Sequence, residues 1–365
     1  METTLKKIDD LDRQAITEIL HWRGGKQERL FREARNAREK HFDNAVELRS
    51  VIEVSNICRQ QCLYCTMGKQ AEVNPFTLTK EKILHTIDFL YESKGRRTIL
   101  LQAGENPDQK FINHVSSVCF SIRERYPDVE VALCLGNLHD EQYEQLFVAG
   151  ACRYILKFET SSPRLYSWYK NERDTLKNRL SRLQVLQEIG FQIGTGSIIG
   201  LPRQTLDDVV NDILLTQQFE LSMVSATVFI PNERSAFAGQ RQGDLELTLN
   251  AIALLRLLNP RCLMPATSSL ERAEKGGQLR GLLAGCNTLT IHDGTPPERR
   301  ADFPIYSDSR FRPQTEFCRN LAASANMTCR PVLHPRQYHG RKMTISHKSR
   351  NGATRNDGGA PGKET

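Results

Sequence analysis

Three cysteines at the spacing C-x3-C-x2-C, Cys58, Cys62 and Cys65, follow closely on a short apolar run at 51–55. Thiolates set this close on one loop can converge on a single centre. Three of them hold three irons of a [4Fe–4S] cube and leave the fourth iron open. An open iron is what a cluster needs to bind and cleave a small molecule rather than only relay electrons. Two blander readings compete. Free cysteines pack as small hydrophobes, but three within eight residues are hard to explain as core packing. A zinc site wants a fourth ligand close by, and the nearest histidines, His41 and His85, fall on predicted helices outside the loop.

The pattern around the loop sets the fold class. By hydrophobic period, strands fall at 51–55, 98–103, 129–136, 153–159, 192–201, 223–230, 262–268 and 288–291. Helices fall at 79–94, 109–125, 140–149, 175–189, 205–219, 245–258 and 276–284. Such alternation calls for parallel pairing through crossover helices. Closed on itself, it is an α/β fold of the (β/α)8 TIM-barrel type, and 365 residues suit that size. An open doubly wound sheet is the alternative that the pattern alone allows. Ahead of the barrel, 11–22 and 27–46 read as helices broken at Gly24-Gly25. The expected organisation is an N-terminal helical segment at 1–48, the barrel at 49–297, a closing segment at 298–330 and a disordered basic tail at 331–365.

Composition excludes several classes. No apolar run approaches membrane-spanning length. Residues 1–40 are charged and lack an apolar signal core, so a cytoplasmic protein with reduced thiols is expected despite its ten cysteines. The net charge of +7 is concentrated in the tail, where Arg336, Arg341, Lys342, Lys348, Arg350, Arg355 and Lys363 face only Asp357 and Glu364. Without aromatic interleaving beyond Tyr338 or helical periodicity, that tail reads as a solvated segment rather than a nucleic-acid-binding one.

With the aromatic Tyr64 just before the last cysteine, the motif resembles the radical-SAM superfamily. Further landmarks over residues 52–297 resemble the branch of biotin synthase, methylornithine synthase and the HydE-type [FeFe]-hydrogenase maturase, most nearly the last. The resemblance implies a closed barrel. It also implies that S-adenosylmethionine (SAM) chelates the open iron and is reductively cleaved to a 5′-deoxyadenosyl radical. Its partners would be a small-molecule substrate, a reducing donor such as flavodoxin or ferredoxin, and a protein partner in cofactor assembly.

Barrel enzymes build their sites at the C-terminal ends of strands. Gly104 and Glu105 end the second strand, where glycine lets backbone approach a ligand and a carboxylate accepts from an ammonium group. They resemble the "GGE" element that binds the SAM amino group, with Ala103 in place of the first glycine. Glu159 ends the fourth strand and is an expensive buried carboxylate unless paired. Arg179 is its candidate partner, or both bind the SAM carboxylate and ribose. The related maturases carry Arg-His where this chain has Lys157 and Phe158, side chains expected at the substrate end. Ser197, Ile198, Gly200 and Leu201 resemble the strand that borders the adenine. Thr267 and Ser268 can hydrogen-bond a polar substrate, or equally satisfy local backbone.

Other departures are plain. The eighth unit reads Gly285-Cys286-Asn287 and His292-Asp293, unlike the branch's usual turn, and that pair serves a metal, a substrate or a loop cap. Cys318 and Cys329 alone cannot complete an auxiliary cluster, and Cys119, Cys134, Cys152 and Cys262 read as small core residues. The catalytic candidates are therefore Glu159, Lys157, Thr267 and Ser268. A mutase or biotin-synthase-like enzyme is the alternative enzyme reading, and a non-catalytic iron–sulfur scaffold the alternative of another class.

Overall fold

The computed structural model describes residues 11–67, 74–303 and 311–335. Its strands are β1 (Ala45–Ser55), β2 (Thr98–Ala103), β3 (Glu130–Cys134), β4 (Ala151–Ile155), β5 (Gln192–Ile199), β6 (Met223–Val228), β7 (Thr288–Ile291) and β8 (Thr328–Arg330). Each pairs with its neighbour in parallel, in the order β6-β5-β4-β3-β2-β1-β7, with β8 added beside β1. Between β6 and β7 the ring closes through single bridges, Met223 to Leu263 and Pro265 to Thr288. The strand expected at 262–268 thus shrinks to an extended link. Pro265 has no N–H to donate, and a helix, Ser268–Ala273, starts at once.

The strands are buried on both faces, as a sheet covered by helices requires; all eleven residues of β1 are buried, Glu47, Arg49 and Glu53 among them. The first strand begins six residues earlier than read from sequence. The helix expected over 27–46 ends at Phe42, where Asp43 turns the chain at φ 54°. Inside the barrel, Val51, Leu100, Ala132, Ile155, Met223 and Leu263 pack as one buried layer with Phe42, Ala45 and Leu333. Gly194 on β5 leaves room for Met223: a Cβ there would lie 2.5 Å from the methionine methyl.

That layer and a set of buried charges close the lower mouth. Arg153 meets Glu47 at 3.3 Å and also pairs with Glu130. Leu333 N–H donates to Glu47 at 3.0 Å, and His334 reaches Glu130 at 2.8 Å. Leu333 is therefore packed into the barrel floor, and the contacts of Leu333 and His334 tie residues 331–335 to it rather than leaving them in a loose tail. The rest of that expected tail, 336–365, lies outside the described residues. No helix among the described residues is long and apolar enough to cross a membrane.

Besides Ser268–Ala273, a further helix is not expected from the sequence. Pro163–Tyr169 starts with proline at its first turn, where the missing N–H costs nothing, and it ends beside the cysteine loop.

Candidate active site

Asn56 anchors the cysteine loop as it leaves β1. Its amide donates to the carbonyls of Asn74 at 2.8 Å and Asp302 at 2.9 Å, and accepts from Phe76 N–H at 2.8 Å. From the other side, Arg59 N–H donates to Glu105 O at 2.8 Å and Gly104 N–H to Ser55 O at 3.1 Å. A Cβ on Gly104 would sit 2.5 Å from Ile57 O and 2.6 Å from Cys58 Cβ. Glycine is needed there because the cysteine loop itself approaches so closely.

Cys58, Cys62 and Cys65 all line one cavity of about 240 Å³ at the C-terminal ends of the strands. Each sulfur accepts a donor: Cys58 from Glu105 N–H at 3.3 Å and also from the Gln60 backbone, Cys65 from Met67 N–H at 3.4 Å, and Cys62 from Lys170 Nζ at 3.5 Å. Sulfurs that accept and do not donate are in the setting of metal-bound thiolates. Burial, then the neighbouring Cys62, pushes Cys65 up to about 12, and burial also raises Cys58. A bound cation would hold such groups as thiolates. Among the described residues no three His, Cys, Asp or Glu side chains gather to hold a single metal ion. A cube spreads its three thiolates over three irons, and the cavity wall fits that demand.

Glu105 reaches the same cavity, but its carboxylate is committed. Oε1 accepts from Gln60 at 2.6 Å and Arg59 at 3.3 Å, and Oε2 from Asn137 N–H at 2.8 Å and Arg179 at 3.4 Å. These four donors fill the acceptor sites of a carboxylate. It ties the cysteine loop to β2 and β3 and keeps no oxygen for an ammonium group, contrary to the sequence expectation. Gly136, at φ 77°, is equally constrained, since a Cβ would lie 2.5 Å from Glu105 Oε2.

Arg179 does not pair with Glu159. It meets Glu105 and Asp174, each at 3.4 Å, and donates from Nε to Tyr166 OH at 2.8 Å. Burial lowers its pKa, yet Tyr166, Glu105 and Asp174 outweigh that and hold it well above its usual value. Glu159 sits at φ 66°, strained for a residue with a side chain. Its backbone is clamped to β5 by Glu159 N–H to Gly196 O at 3.0 Å and Ile198 N–H to Glu159 O at 2.9 Å. One carboxylate oxygen is buried without a partner among the described residues, on a side chain that lines the cavity.

Lys170, which caps the unexpected helix, completes the wall. It is buried, with Nζ 3.5 Å from Cys62 Sγ and 3.1 Å from Tyr64 OH. Burial lowers its pKa, but its neighbours, the Cys62 sulfur first among them, raise it well above its usual value. Burial, then Glu159, push the Tyr64 phenol well above its usual range, so it stays neutral.

Of the four residues expected beside the adenine, Ile198 lines the cavity. Leu201 packs with Leu165, Tyr169 and Phe237 and is not among the residues that line it. Gly200, at φ 90°, is explained by Gly243, whose Cα would lie 2.3 Å from a Cβ. Ser197 is buried on β5 and bridges Glu159. Lys157 faces the interior, whereas Phe158 points outward to Tyr166, Leu176 and Leu215. Strand alternation separates the two.

Below lies a second chamber of about 110 Å³ that shares Gln102, Cys134, Ile155 and Lys157 with the first. Thr267, Ser268 and His292 line it. Thr267 and Ser268 stand at the start of a helix rather than on a strand, and Thr267 Oγ1 is 2.8 Å from Ser269 Oγ. His292 Nδ1 lies 3.5 Å from Glu53, while Asp293 turns away to Arg96 at 3.5 Å.

Arg49, which sequence reading missed, donates to Thr290 Oγ1 at 2.9 Å and faces Met223 Sδ at 3.1 Å. Burial lowers its pKa to about 10. Lys157 donates to Thr227 Oγ1 at 3.3 Å. Neither cation is ion-paired with a carboxylate among the described residues, and Glu47, the acid felt by Arg49, is already paired with Arg153. The signal for Arg49 was a guanidinium in an otherwise buried run; for Lys170 it was a basic residue closing the aromatic stretch 166–169.

A model of the Radical SAM superfamily matches residues 52–215. The [FeFe] hydrogenase maturase subunit HydE of Thermotoga maritima is 34% identical over 306 residues, covering 83% of this chain and 86% of that protein. A biotin synthase of Lysinibacillus sphaericus is 28% identical over 228 residues, covering 61% of this chain and 67% of that one. Among solved structures, methylornithine synthase PylB matches with a TM-score of 0.75 at 23% identity, over 89% of this chain and 96% of that one, a likeness of fold.

Proposed function

The chain belongs to the radical SAM superfamily, in the branch of HydE, biotin synthase and methylornithine synthase, and from that premise we propose that it acts on a small anionic substrate in a HydE-like reaction. The observation that carries the reading is a pair of adjacent chambers that share four lining residues. The upper is walled by three cysteines, and the lower is lined by Arg49 and by Lys157, which the two share, neither with a carboxylate partner among the described residues.

Cys58, Cys62 and Cys65 are the residues to hold the [4Fe–4S] cluster. When bound, cluster and SAM supply a 5′-deoxyadenosyl radical from reductive C–S cleavage. Everything else falls to this chain's own side chains. Glu159 offers its unpartnered oxygen to a donor group of SAM, and Ile198 with Tyr64 lines the place for the nucleoside. Glu105 and Arg179 fix the cysteine loop from behind. Arg49 and Lys157 attract and orient the substrate's negative charge, with Thr267 and Ser268 as neutral hydrogen-bonding groups. The closed barrel keeps water away from the shared wall at Gln102 and Cys134.

By likeness to the Thermotoga relative, the product would serve assembly of a hydrogenase cofactor, with a low-potential donor such as flavodoxin or ferredoxin in the same cytoplasm. The replacement of the maturases' Arg-His by Lys157 and Phe158, and the His292-Asp293 turn, favour a second reading, a paralogue acting on another anionic metabolite such as an amino acid.

Anaerobic reconstitution is expected to give about four irons per chain, the content of one cube, and SAM turnover to release 5′-deoxyadenosine. Cleavage that survives Cys62→Ala, or a cluster that never cleaves SAM, would overturn the reading; the second result is what a scaffold protein predicts. Rescue of a hydrogenase strain lacking its own maturase separates the HydE-like role from the paralogue.

A further inference from the structure

Lys170 is held against the cysteine loop from several directions. Leu63 N–H donates to Tyr169 O at 2.8 Å, Asn171 Nδ2 donates to Gln61 Oε1 at 3.2 Å, and Lys170 N–H donates to Tyr166 O at 3.0 Å. The loop around Cys62 and the end of helix Pro163–Tyr169 are therefore tied together. The ammonium lies 5.6 Å from the centre of the Tyr64 ring and 5.5 Å from that of Tyr166, within cation–π range. Its side chain is 5% exposed, and it is ion-paired with no carboxylate among the described residues. A buried ammonium so placed needs an anion. The sulfur it faces, at 3.5 Å, is that of Cys62, which carries negative charge once it binds iron.

We propose that Lys170 is a positioning residue that sets the electron affinity of the cluster through Cys62. The one-electron-reduced cluster carries one more negative charge than the oxidised one, and that charge is shared with the cysteine sulfurs. A fixed ammonium donating to one of those sulfurs stabilises the reduced form more than the oxidised form. Lys170 therefore raises the midpoint potential and brings the cluster within reach of its donor. The step is electron addition alone: a low-potential one-electron reductant is oxidised, the cluster is reduced, and no bond forms or breaks.

The inference rests on the three cysteines holding the cluster, so its test uses the anaerobically reconstituted holoenzyme without SAM. Dithionite and redox mediators serve as the reductant, and the reduced-cluster EPR signal is followed against potential. Lys170→Met is expected to lower the equilibrium constant for reduction at least tenfold, a midpoint about 59 mV more negative. Lys170→Arg, which keeps the charge and a donor, is expected to stay near wild type. SAM affinity of the oxidised protein, measured by equilibrium dialysis, is expected to change by less than threefold.

An unchanged midpoint in Lys170→Met overturns the proposal. A fall in SAM affinity with an unchanged midpoint would make Lys170 a SAM contact instead. Should Lys170→Met fail to take up iron, Lys170→Gln carries the same titration. Failure of both neutral variants beside a loaded Lys170→Arg overturns the redox role in favour of one in cluster assembly. Failure of the wild type to bind iron, by contrast, would sink the cluster reading itself.

Discussion

Glu105 and Arg179 lie 3.4 Å apart, each side chain 5% exposed, and the rest of the cavity wall is hung on this pair. Glu105 also takes Gln60, Arg59 and Asn137 N–H, while Arg179 also takes Asp174 and Tyr166. Removing one member of a buried pair leaves an uncompensated charge. Arg179→Met is expected to destabilise the protein by about 3–5 kcal/mol, the cost of breaking such a pair, read from urea unfolding. Glu105→Gln, which keeps an acceptor for Gln60 and Arg59, is expected to lose less. Equal losses would mean that hydrogen bonding, not charge, matters at this position.

Gly104 offers a cleaner probe of the cysteine loop. Alanine there would place its Cβ 2.5 Å from Ile57 O, a backbone atom that cannot swing aside. Gly104→Ala is expected to cost about 1–3 kcal/mol, as overpacking does, and to lower the iron taken up on reconstitution. A variant with full iron content and unchanged melting temperature would show that the loop has slack that this geometry does not suggest.

The lower chamber makes its own prediction. Charge-assisted hydrogen bonds contribute about 1.5–3 kcal/mol, so Arg49→Met or Lys157→Met is expected to weaken binding of an anionic substrate roughly 10- to 150-fold. Neither residue is among those that line the cysteine wall alone, and substrate-independent SAM cleavage is expected to persist in both. Parallel loss of basal cleavage would place these cations in the cofactor site instead.

The barrel and its cysteine trio were legible because both are written in local pattern: alternating elements, and ligands within a single loop. Ionic partners were less so. Arg179 was matched to Glu159 from the strand end, but the chosen partners, Glu105 and Asp174, come from β2's exit and from the turn after an unforeseen helix. That helix, Pro163–Tyr169, is too short for a periodic signal, and Lys170 went unnoticed with it. Arg49 was missed because β1 was read from Val51, six residues after it begins. Gly200 and Leu201 look like ligand contacts in sequence, yet the facing Gly243 and the aromatic cluster at Phe237 account for them. Packing across the fold leaves no trace in spacing.

His334 and Glu130 give the floor of the barrel a pH dependence whose sign can be worked out. Their atoms meet at 2.8 Å, and the hydrogen bond to Glu130 raises His334 above its ordinary value of 6.5. Burial raises the Glu130 carboxyl, but His334 and Arg153 outweigh it and bring the pKa below its ordinary 4.5. A raised histidine contributes stability that is fully present below its unfolded pKa and is lost as pH rises through its folded pKa. A lowered carboxylate contributes stability present above its unfolded pKa and lost as pH falls through its folded pKa. The pair therefore helps most between about pH 4.5 and 6.5, set by those two ordinary values. His334 is 48% exposed, so solvent screens the pair to well under about 1 kcal/mol. Urea unfolding of wild type and His334→Gln across pH 5 to about 9 checks this, spanning the histidine titration. The difference is expected to be largest near the acid end and to shrink on the alkaline side. A gap that stays constant, or widens with pH, would mean that Leu333 N–H on Glu47 and apolar packing alone hold residues 331–335 in the floor.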